Sequence, residues 1–146
     1  MSPTTPAHTL DPDTLAAQGP VVRTLLATFP NALGIYAFGS RIEGTARPDS
    51  DLDLAILVEG YADPIALWDT SHQLANEIGL PVDLLDMRAA STVMQHQVLT
   101  RGQRLWGKDP QAGLYECFVM TEKAHLDDAR APLLADIARE GSVHGR

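Results

Sequence analysis

Apolar positions along the chain follow two periods, and the switches between them outline the elements. Val22, Leu25, Leu26 and Phe29 stand at offsets 0, 3, 4 and 7, one face of a 3.6-residue helix. Pro20 suits the first position of that helix, Asp11 or Asp13 can cap a short turn before it, and Pro30-Asn31 stops it. Leu33 to Phe38 is a short apolar run closed by Gly39, as in a buried strand. From Asp51 the period changes to two: Leu52, Leu54, Ile56 and Val58 point one way, Asp51, Asp53, Ala55 and Leu57 the other. Pro64 to Ile78 is helical again, with Ile65, Trp68, His72, Ala75 and Ile78 in one stripe, which predicts a partly buried His72. Gly79 ends this helix and Pro81 opens a third strand, Val82 to Leu85. A helix from Ala89 to Thr100, an extended piece Arg104-Leu105-Trp106 and a last helix follow. That last helix starts at Asp109-Pro110, runs to Glu140, and should kink at Pro132.

Helix, strand, linker, strand, helix, strand, helix, helix is the order of a mixed α+β unit. Residues 1–10, with two prolines and little to bury, read as a flexible N-terminus. Residues 11–109 form the core, and 110–146 a C-terminal helical extension of the same domain. A length of 146 residues allows one domain at roughly 100–200 residues each. No internal repeat or low-complexity tract interrupts it.

Composition narrows the classes. No apolar run approaches the ~20 residues of a membrane span, and the first twenty residues hold neither Lys nor Arg nor an apolar core. A single cysteine, Cys117, excludes an internal disulfide and favours a reducing, cytoplasmic setting; among Tyr115, Phe118, Val119 and Met120 it reads as a packed thiol. The net charge of −8 is a poor footprint for stable binding to nucleic acid.

Chemistry concentrates between Gly39 and Asp53. Two acids at i and i+2 of a strand, Asp51 and Asp53, project from one face. Carboxylates held this way suit Mg²⁺, which completes its shell with water and substrate phosphates. Gly39 lets a phosphate approach the backbone, and the Ser40 hydroxyl with the N–H groups of a following helical turn can hold its oxygens. A D-x-D or a Gly-Ser alone most often marks a turn or a solvated edge. Joined by a ten-residue linker and followed by a further strand with an acid, they describe a nucleoside triphosphate site.

The run Tyr36-Ala37-Phe38-Gly39-Ser40-Arg41, followed by Asp49-Ser50-Asp51-Leu52-Asp53-Leu54, resembles the minimal nucleotidyltransferases of the DNA polymerase β-like superfamily. The resemblance covers roughly residues 20–107 and implies that fold, a small mixed sheet flanked by helices. It implies two Mg²⁺ ions as cofactors, held by Asp51, Asp53 and a third carboxylate on the next core strand. Asp83 occupies that place; Asp86, three residues on, faces the other side of a regular strand. Asp51 and Asp53 would bridge the ions, and Asp83 would complete the second ion's shell and accept the acceptor's proton. Gly39, Ser40 and Arg41 would receive the phosphates of ATP. Arg47, Arg101 and Arg104 could each reach a phosphate or simply face solvent.

Very short members of this superfamily resemble this chain and are antitoxins paired with HEPN-domain ribonuclease toxins. That implies transfer of AMP from ATP to a tyrosine of the toxin, release of pyrophosphate, and a hetero-oligomer of the two proteins. Two other readings stay open: a nucleotidyltransferase acting on an aminoglycoside-like small molecule, and a non-catalytic antitoxin that neutralises by contact. Leu114 to Met120 is apolar round most of its helix, which calls for burial on more than one side, under the core or against another chain.

Overall fold

The computed structural model describes residues 10–144, with side chains through Ala129; the expectation of a flexible 1–10 terminus falls almost wholly outside them. A 3₁₀ turn, Pro12–Leu15, capped by Asp11, precedes helix α1, Pro20–Thr28. Strand β1, Ala32–Phe38, leads through Gly39 into a single helical turn, α2, Ser40–Glu43. Strand β2 is Leu52–Val58, α3 is Pro64–Ile78 and β3 is Val82–Asp86. Helix α4, Thr92–Arg101, β4, Gln103–Gly107, and α5, Gln111–His144, complete the chain. Among the described residues no helix is long and apolar enough to cross a membrane.

The four strands form one mixed sheet in the order β3-β2-β1-β4. Strand β1 is antiparallel to both β2 and β4, whereas β2 and β3 run parallel, with α3 as the crossover. Both faces are covered. Leu52, Leu54, Ile56 and Val58 pack with Val21, Val22, Leu25 and Phe29 of α1 and Leu74 of α3. Ala55 and Leu57, of opposite parity, pack with Val98 of α4 and Tyr115 and Val119 of α5. The period-two pattern of β2 therefore sorts its side chains between two cores.

Asp86 belongs to neither core and closes a turn. Its Oδ2 accepts from the Ala62 N–H at 2.9 Å and its Oδ1 from the Arg88 N–H at 3.0 Å. A buried carboxylate needs such donors, and these occupy it.

Several expected details change. Helix α4 begins at Thr92, not Ala89, because the Ser91 side chain caps it by accepting from the Met94 N–H. Strand β2 starts at Leu52, leaving Asp51 just ahead of it. Helix α5 continues to His144, past Glu140, with Pro132 inside it. Among the residues of α5 whose side chains are described, one side is buried, through Ala112, Tyr115 and Val119, while Leu114 and Phe118 are 66% and 55% exposed and Cys117 is exposed too, not packed.

The largest correction concerns α3. Its core face is Leu67, Thr70, Leu74 and Ile78; of the stripe expected through Trp68, Ile78 alone packs there. Thr70 can sit in that face because its hydroxyl donates to the Ala66 carbonyl at 2.6 Å. Ile65, Trp68 and His72 consequently look outward.

Candidate active site

The first acidic residue of the sheet proper, Asp53, is placed by two neighbours. Across the antiparallel pair it faces Phe38, the last residue of β1, and across the parallel pair it faces Asp83. Strand alternation puts the Asp53 and Asp83 side chains on the same sheet face. Asp51 precedes the strand by one residue and is exposed. Asp86, of opposite parity to Asp83, lies at the other end of β3 and is committed to the turn after it.

Gly39 sits where β1 turns into α2, at φ 82° and ψ −165°, a backbone region essentially reserved for glycine. A Cβ at this position would run into the Asp53 carboxylate. The Gly39 carbonyl accepts from the N–H groups of both Ile42 and Glu43 at 3.0 Å, which closes the turn. The N–H groups at the start of any such turn have no partner within it. Those of Ser40 and Arg41 occupy that place, beside the acids.

The linker between the two motifs is folded back by its own residues. Arg41 Nε donates to the Ser50 carbonyl at 2.9 Å and Nη2 to the Pro48 carbonyl at 3.4 Å. Ser50 Oγ accepts from the Arg47 N–H at 2.8 Å, and the Leu52 N–H donates to the Pro81 carbonyl at 2.9 Å. Arg41 thus fastens the loop that delivers Asp51 and Asp53, a task the sequence did not reveal. The other arginines fall elsewhere. Arg104 pairs with Asp109 at 2.8 Å and Glu116 at 3.4 Å, Arg101 lies 3.9 Å from Glu43, and Arg47 is exposed in the linker.

Half-burial and two like charges crowd Asp53. Desolvation first, then Asp83, then Asp51, push its pKa from 3.8 up to about 6. No three His, Cys, Asp or Glu side chains among the described residues converge tightly enough to enclose a metal. The coupling nevertheless shows three carboxylates sharing one field, and an all-oxygen donor set with mutual repulsion fits a hard divalent cation in chemistry and in charge.

A mixed sheet with acids entering a central strand, beside a glycine turn shaped for phosphate, is the framework of enzymes that transfer nucleotides. The family model described as Polymerase beta, Nucleotidyltransferase matches residues 22–111, and the chain belongs to this family. It is similar to the protein adenylyltransferase MntA of Shewanella oneidensis, 35% identical over 117 residues, 80% of this chain and 84% of that one. A solved structure of a toxin–antitoxin with AMP-PNP superposes with a TM-score of 0.72 at 35% identity, covering 81% of this chain and 95% of the other. Another, of the tri-AMPylated Shewanella oneidensis HEPN toxin in complex with its MNT antitoxin, gives a TM-score of 0.66 at 32% identity, over 81% and 92%.

Proposed function

We propose that this chain is an antitoxin that transfers AMP from ATP to a tyrosine hydroxyl of a cognate HEPN toxin. The observation that carries this reading is the placement of Asp53 between Gly39 and Asp83, with its proton affinity raised by burial first and then by Asp83 and Asp51. The similarity to an adenylyltransferase and to toxin–antitoxin complexes, one holding AMP-PNP and one an AMPylated toxin, supports the donor and the acceptor.

Asp51, Asp53 and Asp83 would hold Mg²⁺, whose bound charge neutralises the triphosphate and lowers the acceptor hydroxyl's pKa. Gly39, lacking a Cβ, leaves room for the Asp53 carboxylate, so the acids stand directly beside the turn that would take the phosphates. Ser40, through its hydroxyl and its N–H at the start of the turn, binds the terminal phosphates. Arg41 adds its positive charge nearby and holds the Ser50 end of the linker, which keeps Asp51 aimed at the site. The tyrosine oxygen attacks the α-phosphorus as the bond to the β-phosphate oxygen breaks. Pyrophosphate leaves, and Asp83 takes the phenolic proton.

The test is co-expression with the cognate toxin followed by intact-mass measurement. The toxin should gain one or more AMP units with the native chain and none with Asp51→Ala/Asp53→Ala. Full neutralisation of the toxin by that double variant would sink the catalytic reading.

A further inference from the structure

The outer face of α3 is apolar and organised, yet it covers nothing. Ile65 is 70% exposed and Trp68 66%. The His72 ring lies against Trp68 at a centroid distance of 4.4 Å, tilted by 50°, and its Nδ1 is 2.9 Å from the Trp68 carbonyl. Large apolar side chains at helical spacing, held outward from a helix whose opposite face packs on the core, mark an interaction surface. The face continues into a groove of ≈ 430 Å³ lined by His72, Ala75, Leu80, Pro81 and Val82. Val82 begins the edge strand of the sheet one residue before Asp83, so the groove reaches the strand that bears Asp83 from its opposite face.

Charge selects the occupant. From Glu59 to Asp86 the chain carries Glu59, Asp63, Asp69, Glu77, Asp83 and Asp86 and not one Lys or Arg. Asp63 and Asp69 are exposed beside Ile65 and Trp68. Two copies of such a face would oppose like charges, which costs association, whereas a cationic rim on a partner is attracted. Leu114 and Phe118 on α5 are also exposed, but no one-signed rim beside them selects an occupant.

We propose that the outer face of α3, with the groove leading to Val82, docks the protein that accepts the nucleotide. That protein presents an apolar patch ringed by Lys and Arg, with Trp68 as the central anchor. Docking there holds the acceptor next to the edge strand that bears Asp83. This inference rests on the transfer reading for the identity of the partner.

Binding of the cognate HEPN toxin without nucleotide, measured calorimetrically, tests the face apart from the chemistry. Ile65→Ala/Trp68→Ala should weaken binding at least about tenfold, since buried aromatic anchors dominate interfaces. It should raise KM for the toxin and leave KM for ATP unchanged, and thermal melting should confirm the fold. Asp69→Lys should weaken binding and flatten its salt dependence. Native affinity in the double variant overturns the proposal, as does a dimer of this chain that the same substitutions dissolve without affecting toxin binding. Binding through Trp68 by a chain that transfers no AMP supports the face and overturns only the transfer reading.

Discussion

A Cβ on Gly39 would occupy the space that the Asp53 carboxylate fills. The glycine of the phosphate turn and the second acid of the D-x-D pair, separated by the whole linker in sequence, are thus one steric unit. Their spacing has meaning because Arg41 folds the intervening residues back through the Ser50 and Pro48 carbonyls.

Gly39→Ala should therefore harm both stability and transfer. The backbone region costs a non-glycine residue about 1–3 kcal/mol before the collision with Asp53 is counted. Urea denaturation should show at least that loss, and AMP transfer should fall even at temperatures where the variant is fully folded.

Asp53→Asn separates function from stability. In the folded protein the pKa of Asp53 lies near 6, above the ordinary 3.8, so the folded state binds its proton more tightly than the unfolded state does. The contribution is fully present below pH 3.8 and is lost as pH rises through 6, which leaves the ionised group destabilising at neutral pH. The variant should melt higher than the native chain at pH 7.5, nearly equally at pH 3.5, and transfer nothing. Melting scans from pH 3.5 to 7.5 check the crossover.

Divalent cation should reverse that ranking. Mg²⁺ binds the ionised acids, so it should raise the melting temperature of the native chain at pH 7.5 and do so much less at pH 4.5, where protons compete. In Asp53→Asn the Mg²⁺ effect should shrink at both values. Equal stabilisation of both proteins by Mg²⁺ would move the cation elsewhere.

Tyr36 anchors α5 to the sheet and stands apart from the reaction. Its hydroxyl donates to Glu116 Oε2 at 2.8 Å, and Glu116 also faces Arg104. Burial, followed by this carboxylate, keeps the phenol well above its usual range. Tyr36→Phe should cost about 0.5–1.5 kcal/mol in denaturant unfolding, with kcat and KM for ATP unchanged.

Much of the fold is legible in residue periodicity because strands buried on two faces and helices buried on one must repeat their apolar residues at fixed intervals. The strand through Leu54 and the helix through Leu25 follow from it, whereas the motif from Gly39 to Asp53 is read from residue types and their spacing. Helix α3 shows the limit. Ile65-Trp68-His72-Ala75 and Leu67-Thr70-Leu74-Ile78 are both helical stripes, and only packing against α1 decides that the second, which includes a threonine, turns inward. Likewise Cys117 sits among apolar neighbours yet is exposed, since one core face on α5 suffices to hold it.

By itself the sequence determined the order of elements, the acids, and the glycine turn with its spacing, because each is local chemistry written in consecutive residues. Strand alternation already favoured Asp83 over Asp86; the tertiary structure added the pairing that sets Asp83 level with Asp53 and the hydrogen bonds that turn Asp86 away to cap a loop. It also decided that Arg41 braces the linker, and that the stripe through Trp68 is surface. Those outcomes depend on contacts between residues far apart in the chain, where burial and hydrogen-bond satisfaction are settled by the packed whole.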